Sequence, residues 1–485
     1  MDLSDTQEAR FFLQLTKVPR PSGHMERINA YLTDFATEHG LEHEKDAAGN
    51  VLIRRAGNGR TIVLQGHQDI VPNSVREFDF VSCPLETVVE DGWIHADGTT
   101  LGADDGGGLA LMLCALVDPR LDGISIECLF TTDEEVGLIG ASKMAFGWLK
   151  GRTMINIDSE DVDEITIGSA GSTDIDARFV PETGQSDERM YELTVSGLLG
   201  GHSAGMIGSG RANAILLVSE YLRSLPNVRI ASIEAGKASN VIPTSCTARF
   251  SCDLIPEKDF GSKAESMCER FKDTDPGIEF RLEPCDPCET SWTAEFTGSV
   301  LDSILSCPNG SLEEDRYGVK TSSNIGIIDG DAEHLAIVIK PRSSDWDALT
   351  GLIERIERCF SSAGAEASHS ETFPPWKEPE DSDLVRTASD VYRKVFGREP
   401  RIVSVHGGLE SSTIKEKHPG MQAISIGPTI LGAHTPDERM DLSTLTEMKE
   451  YLFELVLALC GRERRSCRDA PEPFRYSRRR TTCCS

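Results

Sequence analysis

Dense apolar runs separated by polar, glycine-bearing turns organise the first part of this chain. Ile124–Thr131, Thr61–Gln65 and Thr153–Ile157 are rich in branched and apolar residues and predict buried strands. Leu109–Val117 is apolar at every position and predicts a buried helix. Strand and helix patterns alternate from residue 1 to about 170, as in an α/β layer. The small residues Gly168–Ser172 read as a linker, and beyond them the texture changes. Tyr191–Ser196 alternates like a half-buried strand, Arg211–Leu222 has helical periodicity, and Thr247–Cys252 and Leu335–Ile339 are strand-like. This mixture predicts an α+β unit over residues 171–375. Phe373–Trp376, with two prolines, predicts a rigid return. From Ser382 the chain resumes helix and then strand, with Gln422–Ile426 strand-like. The prediction is therefore an α/β body built from residues 1–170 and 376–460, with the α+β unit inserted between its halves. Residues 461–485 show no periodicity and carry eight Arg against three acids, which predicts a disordered basic tail.

Polar residues with metal-ligand chemistry lie just past the predicted strands. Asp133-Glu134-Glu135 follows Ile124–Thr131. Adjacent carboxylates repel unless a cation neutralises them or one keeps a proton. One of such a pair can bind a metal while its neighbour takes a proton from water. His67 and Asp69 follow Thr61–Gln65 and, two apart on an extended segment, point the same way. A carboxylate on the far nitrogen of a liganding imidazole fixes its tautomer. Asp104-Asp105 precedes the helix Leu109–Val117, Asp158 and Glu160 follow Thr153–Ile157, and His434 and Glu438 come after Gln422–Ile426. Each group alone has an ordinary explanation: a packed histidine, a helix cap, an acidic turn. All of them at the carboxyl ends of strands, where open α/β sheets bind ligands, point to one site. Imidazole with carboxylates suits zinc, with manganese or cobalt as substitutes. Five ligands with one bridging carboxylate would hold two metals about 3.5–4 Å apart.

Composition narrows the function. The net charge of −30 argues against nucleic acid as a partner. It weakly favours cationic over anionic small ligands. The N-terminal segment has no apolar signal core, and no run approaches the roughly 20 apolar residues that span a bilayer, so a cytoplasmic location is expected. The 14 cysteines form no compact framework and read as reduced thiols. Cys285-Asp-Pro-Cys288 invites a zinc-ribbon reading, but no second pair at matching spacing supports it.

The chain resembles the zinc exopeptidase family that includes aminoacylase, carboxypeptidase G, peptidase T and carnosinase, and within it the aminoacyl-histidine (Xaa-His) dipeptidase branch. The resemblance rests on Leu64–Pro72, Gly98–Asp104, Thr132–Gly137, Asn156–Glu160, Ile167–Gly171, Gly200–Ser203, Gly210–Ile215, His406–Glu410 and Gly427–Glu438, in that order. It implies a di-zinc catalytic body with a mostly parallel sheet and an inserted lid that also dimerises. It implies that His67 and Asp158 bind one zinc, Glu135 and His434 the other, and that Asp104 bridges them. Asp69 would orient His67, and Glu134 would be the general base. His202 would stabilise the oxyanion, across a subunit interface where the homodimer brings it, and Asn240 and Arg342 would hold the substrate carboxylate. Arg211 could do the same or simply open a helix, and His406 and Glu410 receive no definite role. The chain departs from the branch at Asp105, where Asn is usual, and at Gly168–Ser172 and His406–Ser412; these put substrate range in question rather than catalysis. The expected function is metal-dependent hydrolysis of dipeptides, Xaa-His included, with two Zn2+ per subunit. An N-acyl-amino-acid amidohydrolase with the same machinery and a non-catalytic metal-binding scaffold are the alternatives.

Overall fold

The computed structural model describes residues 6–186, 189–253 and 257–461, so the predicted basic tail lies outside the described residues apart from Gly461. One sheet has the order Glu42–Lys45, Val51–Arg55, Ile124–Thr131, Asn58–His67, Thr153–Asn156, Gln422–Ser425, Glu164–Ser169, Trp376–Lys377, with Arg401–Val405 also paired to Glu164–Ser169. Its four central strands, Ile124–Thr131 to Gln422–Ser425, are parallel. Antiparallel pairs flank them on both sides. Strand Asn58–His67 is buried from Ile62 onward, and its side chains alternate between two cores. Ile62 and Leu64 join the larger one, which includes the helices Gln7–Leu15, Ala103–Val117, Asp383–Phe396 and Leu442–Leu459. Val63 joins the smaller one on the opposite face, with Ile414 and Trp376. Burial on both faces explains why these strands read as continuous apolar runs. The segment Ala103–Val117 contains the helix predicted at Leu109–Val117; the backbone is not helical at Asp104 and Asp105, and residues 105–116 are buried.

The second sheet has ten strands, paired antiparallel, and runs from Glu279–Cys285 at one edge to Glu366–His369 at the other. Met190–Ser196, Cys246–Ser251, Arg229–Ala235, Gly318–Gly330, Leu335–Ser343 and Ile175–Phe179 lie between, in that order. Ala214–Arg223, Ala294–Ser306 and Trp346–Ser361 contribute helices to its separate core. The predicted helix at Arg211–Leu222 starts later, because Asn213 caps it by accepting from the Ile215 N–H at 2.9 Å.

Gly168–Ser172 links the two sheets as a buried, paired segment. Strand Glu164–Ser169 and the short strand Gly171–Ser172 carry the chain from one sheet to the other, and the segment is buried. The returning chain crosses it, with Phe373 bridged to Ser172 and Trp376 paired with Ser169. A Cβ on Gly171 would meet the Pro375 nitrogen at 2.5 Å and the Phe373 carbonyl oxygen at 2.6 Å. The small residues are there to let two strands touch.

Candidate metal centre

The parallel strands end on one edge of the first sheet, and the polar clusters gather there. His67 is the last residue of Asn58–His67, and Glu134 and Glu135 follow Ile124–Thr131. Asp158 follows Thr153–Asn156, and Asp104 lies at a non-helical break near the start of Ala103–Val117. His434 lies in the turn between Ile430–Leu431 and Arg439–Asp441, with a left-handed φ of 65°. A non-glycine residue there costs on the order of 1 kcal/mol. Gly66 precedes His67 because a Cβ at that position would lie 2.0 Å from Asp105 Oδ2.

Asp104 stands between two imidazoles. His67 Nε2 lies 2.8 Å from Asp104 Oδ1 and 3.4 Å from Asp158 Oδ1. His434 Nε2 lies 3.0 Å from Asp104 Oδ2 and 3.0 Å from Glu135 Oε2. Hydrogen bonds to Asp104 and Glu135 hold the His434 ring up at about 11. The His67 ring is also held well above its usual value: burial opposes this, but Asp158, Asp104 and Asp69 outweigh it. Burial pushes the Asp158 carboxyl up to about 6, with His67 opposing and Asp104 adding. Glu134 is pushed well above the carboxylate range by burial, with Asp158, Glu410 and Glu135 adding and His67 opposing.

Asp69 meets His67 through both its backbone oxygen and its carboxylate. His67 Nδ1 lies 3.1 Å from the Asp69 backbone oxygen and 3.6 Å from its Oδ1. The Asp69 carboxylate also accepts from the Glu134 and Glu135 N–H groups, at 2.9 and 3.3 Å, and from Ser22 Oγ at 2.8 Å. It therefore ties the acidic turn to the histidine strand.

Three residues of the scaffold had no assigned role in the sequence. Glu438, buried, accepts four backbone N–H groups, from Leu101, Gly102, Ala103 and Asp104, at 2.7–3.2 Å. Arg20, fully enclosed, donates to the carbonyls of Gln68 at 2.8 Å and Gly102 at 2.6 Å. Glu410 accepts from Gln65 Nε2 at 2.6 Å and Thr131 Oγ1 at 2.5 Å, joining two strands beneath the site. Glu438 and Glu410 stood inside recognised segments, but no local pattern marks Arg20.

The residues present fit a divalent cation. His67, Asp104 and Glu135 each offer a ligand atom within 4.8 Å of the others. Glu135 Oε1 is buried without a hydrogen-bond partner, an acceptor that a cation would satisfy. Carboxylates crowded beyond the reach of two imidazoles leave a negative excess, and nitrogen with oxygen donors suits zinc.

The inserted unit supplies the remaining predicted residues. His202 Nε2 lies 3.2 Å from Asn240 Nδ2, and the Ala204 N–H donates to His202 Nδ1 at 3.3 Å. Asn240 and the Ala204 N–H thus contact the two ring nitrogens of His202, whose donor and acceptor roles depend on the tautomer. Burial lowers the His202 value, and Arg342 and His434 add to the shift. Arg342 is buried, its Nε has no partner, and burial brings it down to about 10. His406 joins the two sheets, with Nε2 2.6 Å from Ser322 Oγ. Arg211 donates to the Gly200 carbonyl, holding the turn before His202.

The sequence profile of peptidase family M20/M25/M40 matches residues 63–458. The cytosol non-specific dipeptidase of Escherichia coli (strain K12) is 29% identical over 472 residues, spanning 92% of this chain and 96% of that protein. The crystal structure of aminoacylhistidine dipeptidase from Vibrio alginolyticus superposes with a TM-score of 0.83 at 29% identity, covering 94% of this chain and 98% of that one. A tripeptidase from Staphylococcus aureus shares the fold at a TM-score of 0.58 and 17% identity, covering 94% and 98%.

Proposed function

We propose that this chain, which belongs to peptidase family M20/M25/M40, is a two-metal dipeptidase of broad specificity that accepts Xaa-His substrates. The observation that carries this reading is the division of Asp104 between two imidazoles, each with its own second carboxylate. In this reading His67 and Asp158 hold one cation, Glu135 and His434 the other, and Asp104 both. Two Zn2+ ions, or Mn2+ or Co2+ in their place, would polarise the scissile carbonyl and bring the acidity of a water near neutrality.

The chain's own groups do the rest. Glu134 takes the proton of the attacking water and passes it to the leaving amine. Asp69 holds Glu134 and Glu135 by their backbone N–H groups, which keeps base and ligand in register. His202 turns its Nε2–H to the carbonyl oxygen as negative charge develops there. Arg342 and Asn240 receive the substrate's terminal carboxylate, the guanidinium as a two-pronged donor. A cation fixed at one distance from the scissile bond would restrict the site to short peptides.

A homodimer through the inserted unit also belongs to this reading, supported by the exposed apolar side chains of Leu199, three residues before His202, and Val241, paired with it. A cytoplasmic location accords with the name of the Escherichia coli relative, and no helix among the described residues is long and apolar enough to cross a membrane.

The test is turnover of β-Ala-His, Gly-His, Cys-Gly and acetyl-Met with zinc, manganese and cobalt. Cleavage of the free dipeptides with little action on acetyl-Met supports the proposal. Preference for acetyl-Met would make the protein an acylase, and no turnover with any metal would make it a scaffold.

A further inference from the structure

A cavity of about 380 Å3 opens where the inserted unit meets the body, and it shares none of its lining residues with the metal centre. That volume is in the range of small-molecule sites. Its walls come from three segments. Trp346 opens the helix Trp346–Ser361 of the inserted unit, and residues 374–377 belong to the returning chain. Ser412, Lys415 and Glu416 lie on the body helix Glu410–Lys417.

Two indoles and two prolines make the faces of this cavity apolar. Trp376 is only 3% exposed, because it pairs with Ser169 and packs into the smaller core of the first sheet. Its Nε1–H nevertheless has no partner among the described residues. A buried indole N–H normally finds an acceptor, and the cavity that Trp376 lines gives one a way in. Trp346 is the opposite case, 46% exposed on a helix that buries Leu349, Ile353 and Ile356 instead. Pro374 and Pro375, with φ fixed by their rings, make the wall between the two indoles stiff. The polar groups of the lining are unequal. Lys415 is held by Glu378 at 2.8 Å, and the Ser412 hydroxyl donates to the Leu409 carbonyl at 2.8 Å. Lys377 has only Asp315 at 3.5 Å, and Glu416 enters no ion pair among the described residues. The cavity therefore offers an N–H and an ammonium to an anion, a carboxylate to a cation, and flat apolar walls to a ring.

We propose that this cavity binds a free aromatic α-amino acid. The ring lies against Trp346 and the prolines. The α-carboxylate accepts from Trp376 Nε1–H and from Lys377, and the α-ammonium meets Glu416. Hydrolysis of peptide bonds, the chemistry of this family, releases molecules of this kind. Because its walls come from both units, the occupant bridges the inserted unit to the body.

The test titrates L-phenylalanine into the zinc-loaded full-length protein by calorimetry. Binding is expected, and Trp346→Ala should weaken it about tenfold or more while dipeptide turnover stays unchanged. Phenethylamine lacks the carboxylate and leaves the indole N–H unpaired, so it should bind about tenfold or more weaker. Phenylacetate lacks the ammonium and should bind about two- to fivefold weaker, as for an exposed ion pair. Glu416→Gln should weaken phenylalanine by the same factor and leave phenylacetate untouched. Absence of binding at about 10 mM phenylalanine would overturn the proposal. So would binding that survives Trp346→Ala but is abolished by Arg342→Ala, which would put the amino acid in the substrate site instead.

Discussion

Replacing Glu438 by Gln tests how the bridging carboxylate is held. Oε1 accepts from the Ala103 and Asp104 N–H groups at 2.7 and 3.2 Å, and Oε2 from Leu101 and Gly102 at 2.8 and 3.0 Å. Glutamine has nearly the same shape, but it keeps only one acceptor oxygen. Its NH2 group would point hydrogens at two backbone N–H groups that have lost their partner. Each hydrogen bond to a charged group is worth about 1.5–3 kcal/mol, so two lost bonds amount to about 3–6 kcal/mol. Part of this is returned, because burial already pushes the Glu438 carboxyl up and a neutral amide is cheaper to enclose. The net expectation is a loss of about 2–4 kcal/mol. One of the four N–H groups belongs to Asp104 itself, so the loosened loop should also weaken metal affinity by about 10–100-fold, as outer-shell changes do. Guanidinium unfolding of the metal-free protein measures the first effect, and calorimetric zinc titration the second. A variant within about 0.5 kcal/mol of the parent, with unchanged zinc affinity, would refute the reasoning.

Glu134→Ala should keep its metal, by elemental analysis, while turnover falls by about 10²–10⁴-fold; loss of metal would make Glu134 a ligand instead. Asp104→Ala should lose metal and activity together. His202→Ala should lower kcat by about 10²–10³-fold with metal content unchanged. Mixing it with Glu134→Ala under demonstrated subunit exchange should partly restore activity through hybrid dimers, and no recovery would remove His202 from the neighbouring subunit's site. Burial holds the His406 ring down at about 4, against 6.5 in the unfolded chain. The unfolded chain therefore gains its proton first as pH falls, so the associated stability is complete above 6.5 and is lost between 6.5 and 4. This loss is on the order of 3 kcal/mol. Denaturant unfolding across that range should show a shallower slope for His406→Gln than for the parent.

The central strands were legible because burial on both faces forces a continuous apolar run, whatever the rest of the chain does. His67, Asp104, Glu135, Asp158 and His434 stood out because each occupies the polar end of such a run or the turn beyond it. The change of texture near residue 170 was visible, but not that the small residues there lie where two strands cross in contact. The reason is simple: smallness is a property of the residue, and the chain it must admit, Phe373–Pro375, is some 200 positions away. The flanking antiparallel pairs were hidden for the same reason, since an apolar run does not reveal the direction of its neighbour.

The supports of the site were the least legible. Glu438 finds its four N–H groups more than 330 positions back along the chain, and Glu410 finds Gln65 345 positions away. Arg20 meets the carbonyls of Gln68 and Gly102 only because three segments are brought to one point. The sequence by itself determined the strands, the ends where ligand chemistry collects, and the types of ligand. The tertiary structure alone decided which imidazole faces which oxygen of Asp104, and which buried charges hold that carboxylate in place. Apolar periodicity is written into neighbouring residues, whereas a hydrogen bond between distant segments exists only after the chain has closed.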